Sequence, residues 1–293
     1  MASDRRRKLN GLLKLWLSLF FFAGSRLSRM FLYLIGRKPA ATCIILYYHS
    51  VPAEQRQAFA RQMDMVARLT KPIRVDRVPE MLPGERYSGI TFDDAFENIF
   101  DNAVPELVQR KMPAAIFVTM EVLGKHAGWW PDAAPERRER IAVERQLDQF
   151  PTDLISLGSH TLTHPRLTLT SDTEAKKEIF ESRRKLEALL KRKVATFSFP
   201  FGAYNDELVG WCREAGYERV FTSVPTGAFK CPDEYVTGRI KAEPTDWPIE
   251  SYLKLLGCYR WIPYAVSLKQ MLFARPTLSK GRVGAPDVRG SIA

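Results

Sequence analysis

The chain has 293 residues, 45% apolar and 26% charged, the make-up of an ordinary globular protein with room for one large α/β domain and appendages. Its net charge of +11 sits at the ends: residues 1–38 hold nine Lys and Arg against Asp4, residues 275–293 hold four against Asp287, and residues 39–274 balance to zero. A neutral core with no basic stripe or nucleic-acid motif excludes a nucleic-acid partner. The four cysteines, Cys43, Cys212, Cys231 and Cys258, are widely spaced without a CxxC pair, which excludes a disulfide framework and a thiolate zinc site.

Arg5-Arg6-Arg7-Lys8 precedes an apolar segment, Leu9–Ala23, and a second apolar segment spans Leu27–Gly36. Neither reaches the roughly 20 apolar residues of a clean membrane-spanning helix. Three readings compete: a secretory signal ending near Ala23-Gly24-Ser25, a strained spanning anchor, and a pair of interfacial helices with Trp16, Phe20, Phe21, Phe22 and Phe31 in the acyl region. The dense basic cluster beside five aromatics favours uncleaved association of residues 5–37 with a membrane surface. Residues 1–38 are therefore set apart from a folded unit over 39–274.

Cys43–Tyr48 is a continuous apolar run, as in a strand buried on both faces of a parallel sheet. Residues 54–69 have helical spacing, and a short strand is predicted at Ile73–Val75. Gly89-Ile90-Thr91-Phe92 is a strand ending in Asp93-Asp94, followed by a helix to Lys111. Ala114–Thr119 is the next buried strand. Residues 121–150 interrupt the rhythm with Trp129-Trp130-Pro131 and a charged, helical-looking stretch; the insertion is expected to cover one end of the sheet, where paired Trp rings suit a sugar. Strands follow at Asp153–Gly158, Ala195–Phe199, Arg219–Ser223 and Tyr235–Ile240, with helices at Ser171–Lys191, Asp206–Ala215, 249–257 and 263–274. Alternating strands and helices predict a parallel α/β sheet or barrel. The tail 275–293 has a disordered composition.

Chemical residues recur just after these strands. His49, Asp93, Asp94, His160 and His164 all follow predicted strands directly, where (β/α) barrels gather their active sites. Only four His occur in the chain, and three lie at strand ends. His160 and His164 are spaced i, i+4, so one helical turn would put both imidazoles on one side as metal ligands. Asp94 can complete a His₂Asp set with a position left open for water, and a cation there would relieve the repulsion between Asp93 and Asp94. Such a set suits Zn²⁺ and also Co²⁺, Ni²⁺ or Fe²⁺.

Thr91-Phe92-Asp93-Asp94, Ser159-His160-Thr161-Leu162-Thr163-His164-Pro165 and Phe199-Pro200-Phe201-Gly202 resemble, in order, the three leading motifs of the polysaccharide deacetylases, the NodB-homology domain of carbohydrate esterase family 4. The resemblance covers roughly residues 42–245. It implies a distorted (β/α)7 TIM-like barrel and metal-dependent removal of N-acetyl groups from amino-sugar polymers. It also implies Asp93 as general base, Asp94, His160 and His164 as ligands of a divalent metal, and the Phe201 N–H as a donor to the oxyanion. Two features depart from the family pattern. Ser198 stands where many members carry an Arg that holds the base, and no His follows His164 to supply the late acid. Tyr47-Tyr48-His49-Ser50-Val51 resembles the opening strand of the exopolysaccharide-deacetylase subgroup, whose acid His is N-terminal; this implies His49 as the acid. Arg239, on a late strand, is a candidate to replace the missing Arg. Trp130, Tyr204 and Arg239 are candidates for substrate contact.

The resemblance thus implies a hydrolase acting on N-acetylated units of an exopolysaccharide or its precursor, with a glycan partner, at a membrane that would be the inner membrane of a bacterium. Two alternatives stand: a deacetylase or deformylase of a lipid-linked amino sugar, and a non-catalytic glycan-binding relative. The last would be marked by loss of a ligand or the base, and Asp93, Asp94, His160 and His164 are all present.

Overall fold

A computed structural model of the chain describes residues 2–77 and 79–273; the tail from Arg275 lies outside the described residues. The strands are β1 (Thr42–Tyr48), β2 (Lys71–Pro72), β3 (Arg86–Phe92), β4 (Ala114–Val118), β5 (Ile155–Ser159), β6 (Thr196–Ser198), β7 (Arg219–Phe221), β8 (Val236–Thr237) and β9 (Ile240–Lys241). All pair in parallel, in the order β8-β7-β6-β5-β4-β3-β1-β9, with the short β2 beside β3. The two ends of this path are one stretch of chain. Residues 236–237 pair with β7, residues 240–241 pair with β1, and Gly238-Arg239 lies between them. The stretch closes the sheet into a seven-strand, distorted barrel.

Side-chain alternation along each strand divides the interior into two layers. Cys43, Ile45, Tyr87, Ala115, Phe117 and Phe221 fill the barrel, with Val75, Ala228 and Phe229 from connecting segments. Ile44, Leu46, Tyr48, Ile90, Phe92, Ile116, Val118 and Leu157 point outward into a larger core. Helices α2 (Arg56–Leu69), α3 (Val104–Gln109), α4 (Asp172–Leu190) and α5 (Asp206–Glu214) supply much of its other side, among them Phe59, Met63, Leu107, Ile179 and Leu208. Strands buried on both faces explain the unbroken apolar runs in the sequence. Continued past the strand ends, the inward parity of 43, 45 and 47 reaches His49, that of 87, 89 and 91 reaches Asp93, and that of 156 and 158 reaches His160.

Four local expectations are corrected. The helix after Asp94 begins as a π-turn, Ile99–Ala103, before α3. The strand predicted at Ile73–Val75 is instead the two-residue β2, and Ile73 follows it with its N–H on Ser88 O at 2.8 Å. Residues 121–150 form no charged helix: they hold short 3₁₀ turns at Met120–Val122, Pro135–Arg138 and Glu144–Gln146, and antiparallel bridges Phe96–Ile141 and His126–Arg140 fasten them down. Four prolines and glycines between 124 and 135 explain why no longer helix forms there.

The N-terminal region is one helix, α1 (Ala2–Leu34), and not two segments. Gly24-Ser25 does not break it, because one face is held by the barrel. Leu15, Leu19 and Phe22 pack on the core, Phe22 meets the Tyr252 edge in α6 (Pro248–Leu255), and Arg29 donates to Gly84 O at 3.0 Å. Trp261, just before α7 (Ile262–Phe273), donates its indole N–H to Ser18 Oγ at 3.0 Å. The other face leaves Trp16 70% and Phe20 83% exposed. Among the described residues no helix is long and apolar enough to cross a membrane.

Candidate metal and catalytic centre

Asp93 and Asp94 leave the end of β3 in different directions because the backbone turns left-handed at Asp94 (φ 69°) and Ala95 (φ 57°). Asp93 continues the inward parity of the strand. Arg239 meets it from the strand stretch opposite, through Nη1–Oδ1 at 2.7 Å and Nη2–Oδ2 at 2.8 Å. Arg239 also donates to Thr91 Oγ1, Ser198 Oγ and Thr222 O, and the rings of Tyr47, Phe117 and Phe221 surround its guanidinium. It has no exposed surface. Of the two positions that the sequence offers Arg239, beside the base or against a substrate, it occupies the first. Burial, the largest single influence, would raise the Asp93 carboxyl, but the Arg239 charge and hydrogen bonds together with His160 and His49 outweigh it and hold the group well below the usual carboxylate range.

His160 and His164 do come together, but not on a helical turn. Residues 160–166 are a loop, with left-handed backbone at Thr161 (φ 70°) and His164 (φ 63°). Glu178 of α4 holds that loop from below, accepting from Leu162 N at 2.7 Å, Thr163 N at 3.0 Å and Thr163 Oγ1 at 2.6 Å. Thr161 Oγ1 accepts from His164 N. Pro165 directly after His164 disfavours helix at this point, and the carboxylate supplies the acceptor that a helix would have provided.

Asp94 Oδ1 lies 3.5 Å from His160 Nε2 and 3.3 Å from His164 Nε2, and all three residues are buried. His160 Nδ1 faces Ser198 O at 2.7 Å, so that nitrogen carries the proton and Nε2 presents a lone pair. Burial pushes both imidazoles below their ordinary values, which keeps them neutral. Asp94 Oδ1 is buried without a hydrogen-bond partner. Lone pairs converging on an unpartnered carboxylate oxygen repel unless a cation sits among them. The separations also match the edge of a tetrahedron with metal–ligand bonds of about 2.0–2.1 Å. The three residues therefore fit a divalent ion. Burial and the Asp93 charge push the Asp94 carboxyl up to about 7, against the pull of the Trp130 and Trp129 N–H donors.

His49 and Phe201 flank this cluster, while Tyr204 packs on the core. His49 packs edge-on against Tyr47 and against Trp130, at 5.0 Å between ring centroids. Burial lowers it to about 3, despite the opposing pull of Asp93. Phe201 is left-handed (φ 59°), and its ring lies 4.7 Å from His164 and under the Arg166 guanidinium. The tight turn depends on Gly202 (φ 65°): a Cβ there would lie 1.9 Å from Ser223 Oγ and 2.6 Å from Ser223 N. Tyr204 is half-buried and stacks on Phe199. Among the described residues, five of the eight non-glycine residues with positive φ, Asp94, Ala95, Thr161, His164 and Phe201, fall in this one region. Strain of this kind collects where a constellation is held for function. Sequence reasoning passed over Glu178, read Ser198 only as a departure from the family pattern, and read Trp129 only as half of a sugar-stacking pair. For Ser198 the signal was a hydroxyl at the end of a buried strand, and for Glu178 an acid on the apolar face of α4.

A closed parallel barrel with an Asp-His-His cluster at the carboxyl end of its strands defines a class, the barrel proteins that have a place for a divalent metal. Comparison with known proteins narrows the class. Residues 82–220 match the polysaccharide deacetylase family model. Over 162 residues the chain is 26% identical to YxkH of Bacillus subtilis, whose name places it among the polysaccharide deacetylases, covering 55% of this chain and 53% of that protein. Over 154 residues it is 25% identical to the poly-beta-1,6-N-acetyl-D-glucosamine N-deacetylase of Staphylococcus aureus, covering 52% of each. The chain thus spans about half the length of these curated relatives. The structure of IcaB from Ammonifex degensii shares the fold, with a TM-score of 0.62 at 22% identity, over 74% of this chain and 98% of that one.

Proposed function

We propose that this chain removes N-acetyl groups from amino-sugar units of an exopolysaccharide or its precursor, using a divalent metal. The observation that carries the reading is the buried, unpartnered Asp94 Oδ1 facing two imidazole nitrogens, next to an acid locked to Arg239. An ion held by Asp94, His160 and His164 would polarise the acetyl carbonyl and acidify water, chemistry for which Zn²⁺, Co²⁺, Ni²⁺ and Fe²⁺ all qualify. Asp93, ionised throughout the neutral range, accepts the proton of the attacking water. The Phe201 N–H donates to the oxyanion as the carbonyl becomes tetrahedral. His49 is neutral in the resting site and, as that negative charge develops, takes up the proton that Asp93 accepted from the water. Handing the proton to the nitrogen as the C–N bond breaks then leaves acetate and a free amine.

The test joins metal content to acetate release. Full-length protein is expected to hold close to one metal per chain and to release acetate from an N-acetylglucosamine oligomer. His160→Ala should lose both, and Asp93→Asn should keep the metal and lose the acetate. No metal under any loading condition would end the reading.

A second reading, a lipid-linked amino sugar as substrate, is supported by the exposed apolar face of α1, where Trp16, Phe20 and Phe31 lie among basic residues. That face suits the surface of an anionic membrane, with α1 lying along it while docked to the barrel. Co-sedimentation with anionic but not neutral vesicles, lost in Trp16→Ser/Phe20→Ser, is the expected result.

A further inference from the structure

The insertion at residues 121–150 is zipped directly onto the backbone that follows the acid pair. Ala142 N donates to Ala95 O at 2.9 Å and Glu97 N to Arg140 O at 2.8 Å. Phe96, Ala127 and Ile141 form a small core beneath, with Trp129 and Trp130 packed against it. This anchoring sets both indoles over the metal cluster. Trp130 Nε1 lies 3.0 Å and Trp129 Nε1 3.3 Å from the same atom, Asp94 Oδ2. Trp129 also stacks face to face on His164, at 4.3 Å and 17° between planes, while Trp130 meets the His49 ring at 89°.

Two N–H donors on one carboxylate oxygen leave the other oxygen to do the ligating. We infer that Trp129 and Trp130 are positioning residues for the metal ligands, holding Asp94 to one-oxygen ligation through Oδ1 and fixing the plane of His164. The inference rests on the metal reading proposed above. It gives the tryptophan pair a task distinct from sugar stacking. With Oδ2 occupied by the indoles, Asp94 cannot chelate through both oxygens, so coordination positions stay available for water and the acetyl carbonyl. Without the donors, Oδ2 would be a buried charged oxygen with no partner, which the site tolerates poorly. Outer hydrogen-bond partners of this kind typically carry ~10–100-fold in metal affinity.

The experiment uses full-length protein stripped of metal and titrated with Zn²⁺ against a chromophoric chelator. Trp129→Phe and Trp130→Phe keep a ring and remove the N–H. Trp247→Phe, at an exposed residue just before α6, is the control. Each single variant is expected to bind several-fold more weakly and the double variant ~10–100-fold more weakly, with the control unchanged. The visible spectrum of the Co²⁺-loaded double variant should also change in intensity. Zn²⁺ affinity within twofold of wild type in the double variant, with KM for the glycan raised, would overturn the inference and leave the pair as a sugar platform. If the double variant does not fold, the singles and the wild type decide: stoichiometric Co²⁺ should quench indole emission in wild type, and less so in either single variant. Unchanged emission would sink the idea. Failure of wild type itself to bind metal would remove the metal reading, a result separable from any difference between variants.

Discussion

The Arg239 guanidinium grips the Asp93 carboxylate through two parallel bonds, 2.7 and 2.8 Å, across 146 residues of chain. The pair is fully enclosed, so its members depend on each other. Removing one leaves the other as an uncompensated buried charge, typically a loss of ~3–5 kcal/mol. Arg239→Met should therefore destabilise the fold by that order, and Arg239→Met with Asp93→Asn by clearly less than the sum of the singles; chemical denaturation measures both. The folded Asp93 carboxyl is depressed, so its stabilising contribution is present above the ordinary value and is lost as pH falls through the folded one. Arg239→Lys keeps the charge but not the paired geometry. Its acidic limb of activity should move to higher pH, with kcat falling more than KM changes. An unchanged pH profile in this variant would detach Arg239 from the base.

Metal uptake should compete with protons near neutrality. In the metal-free site the Asp94 carboxyl lies at about 7, raised by burial and by the Asp93 charge. A carboxyl raised on folding stabilises the metal-free fold fully below its unfolded value, and that contribution is lost as pH rises through 7. Binding needs the ionised form. The apparent metal Kd is therefore expected to rise by about tenfold for each pH unit below 7 and to level off above it. Titration between pH 5.5 and 8.5 reads this directly, and a flat dependence would remove Asp94 from the ligand set.

Glu178 hydrogen-bonds to none of Asp93, Asp94, His160 and His164, yet it takes three hydrogen bonds from the loop that carries the two histidines. Glu178→Ala strands two backbone N–H groups, at roughly 1–3 kcal/mol each. Metal affinity should fall by about tenfold or more, while Glu178→Gln, which can still accept both N–H groups through one oxygen, should recover most of it. Equal affinity in all three proteins would show that the loop holds its shape without the carboxylate.

A parallel α/β sheet or barrel was legible because strands buried on both faces must be apolar without a break, as at 43–48 and 114–118, and the family resemblance chose the barrel. The clustering of Asp94, His160 and His164 was legible because all three fall just beyond strand ends. Three features were not. The loop geometry at 160–164 depends on a glutamate on a distant helix, which no local spacing reveals. The closing strand is two pieces, 236–237 and 240–241, each too short to register as a pattern. The break between them aims Arg239 at Asp93. The continuity of α1 arises from tertiary contacts such as Ser18 with Trp261, which override the weak helix preference of Gly24-Ser25.

Away from the site, Glu106 ties α2 to α3. It accepts from Arg56 Nε at 2.7 Å and from Arg110 Nη1 at 2.7 Å. The bonds from Arg56 and then Arg110, against some desolvation, hold its carboxyl below the ordinary 4.5. A depressed acid stabilises the fold above its unfolded value, and that contribution is lost as pH falls through the folded value. Arg56 is well exposed, so solvent screens the pair and the contribution is modest, on the order of 1 kcal/mol. Glu106→Gln should accordingly lower stability by about that amount at pH 7, and the difference from wild type should shrink as pH drops below 4.5 and should also weaken in high salt. Urea denaturation at pH 7 and pH 3.5 makes the comparison. A deficit of the same size at both values would mean that the side chain acts through packing rather than charge.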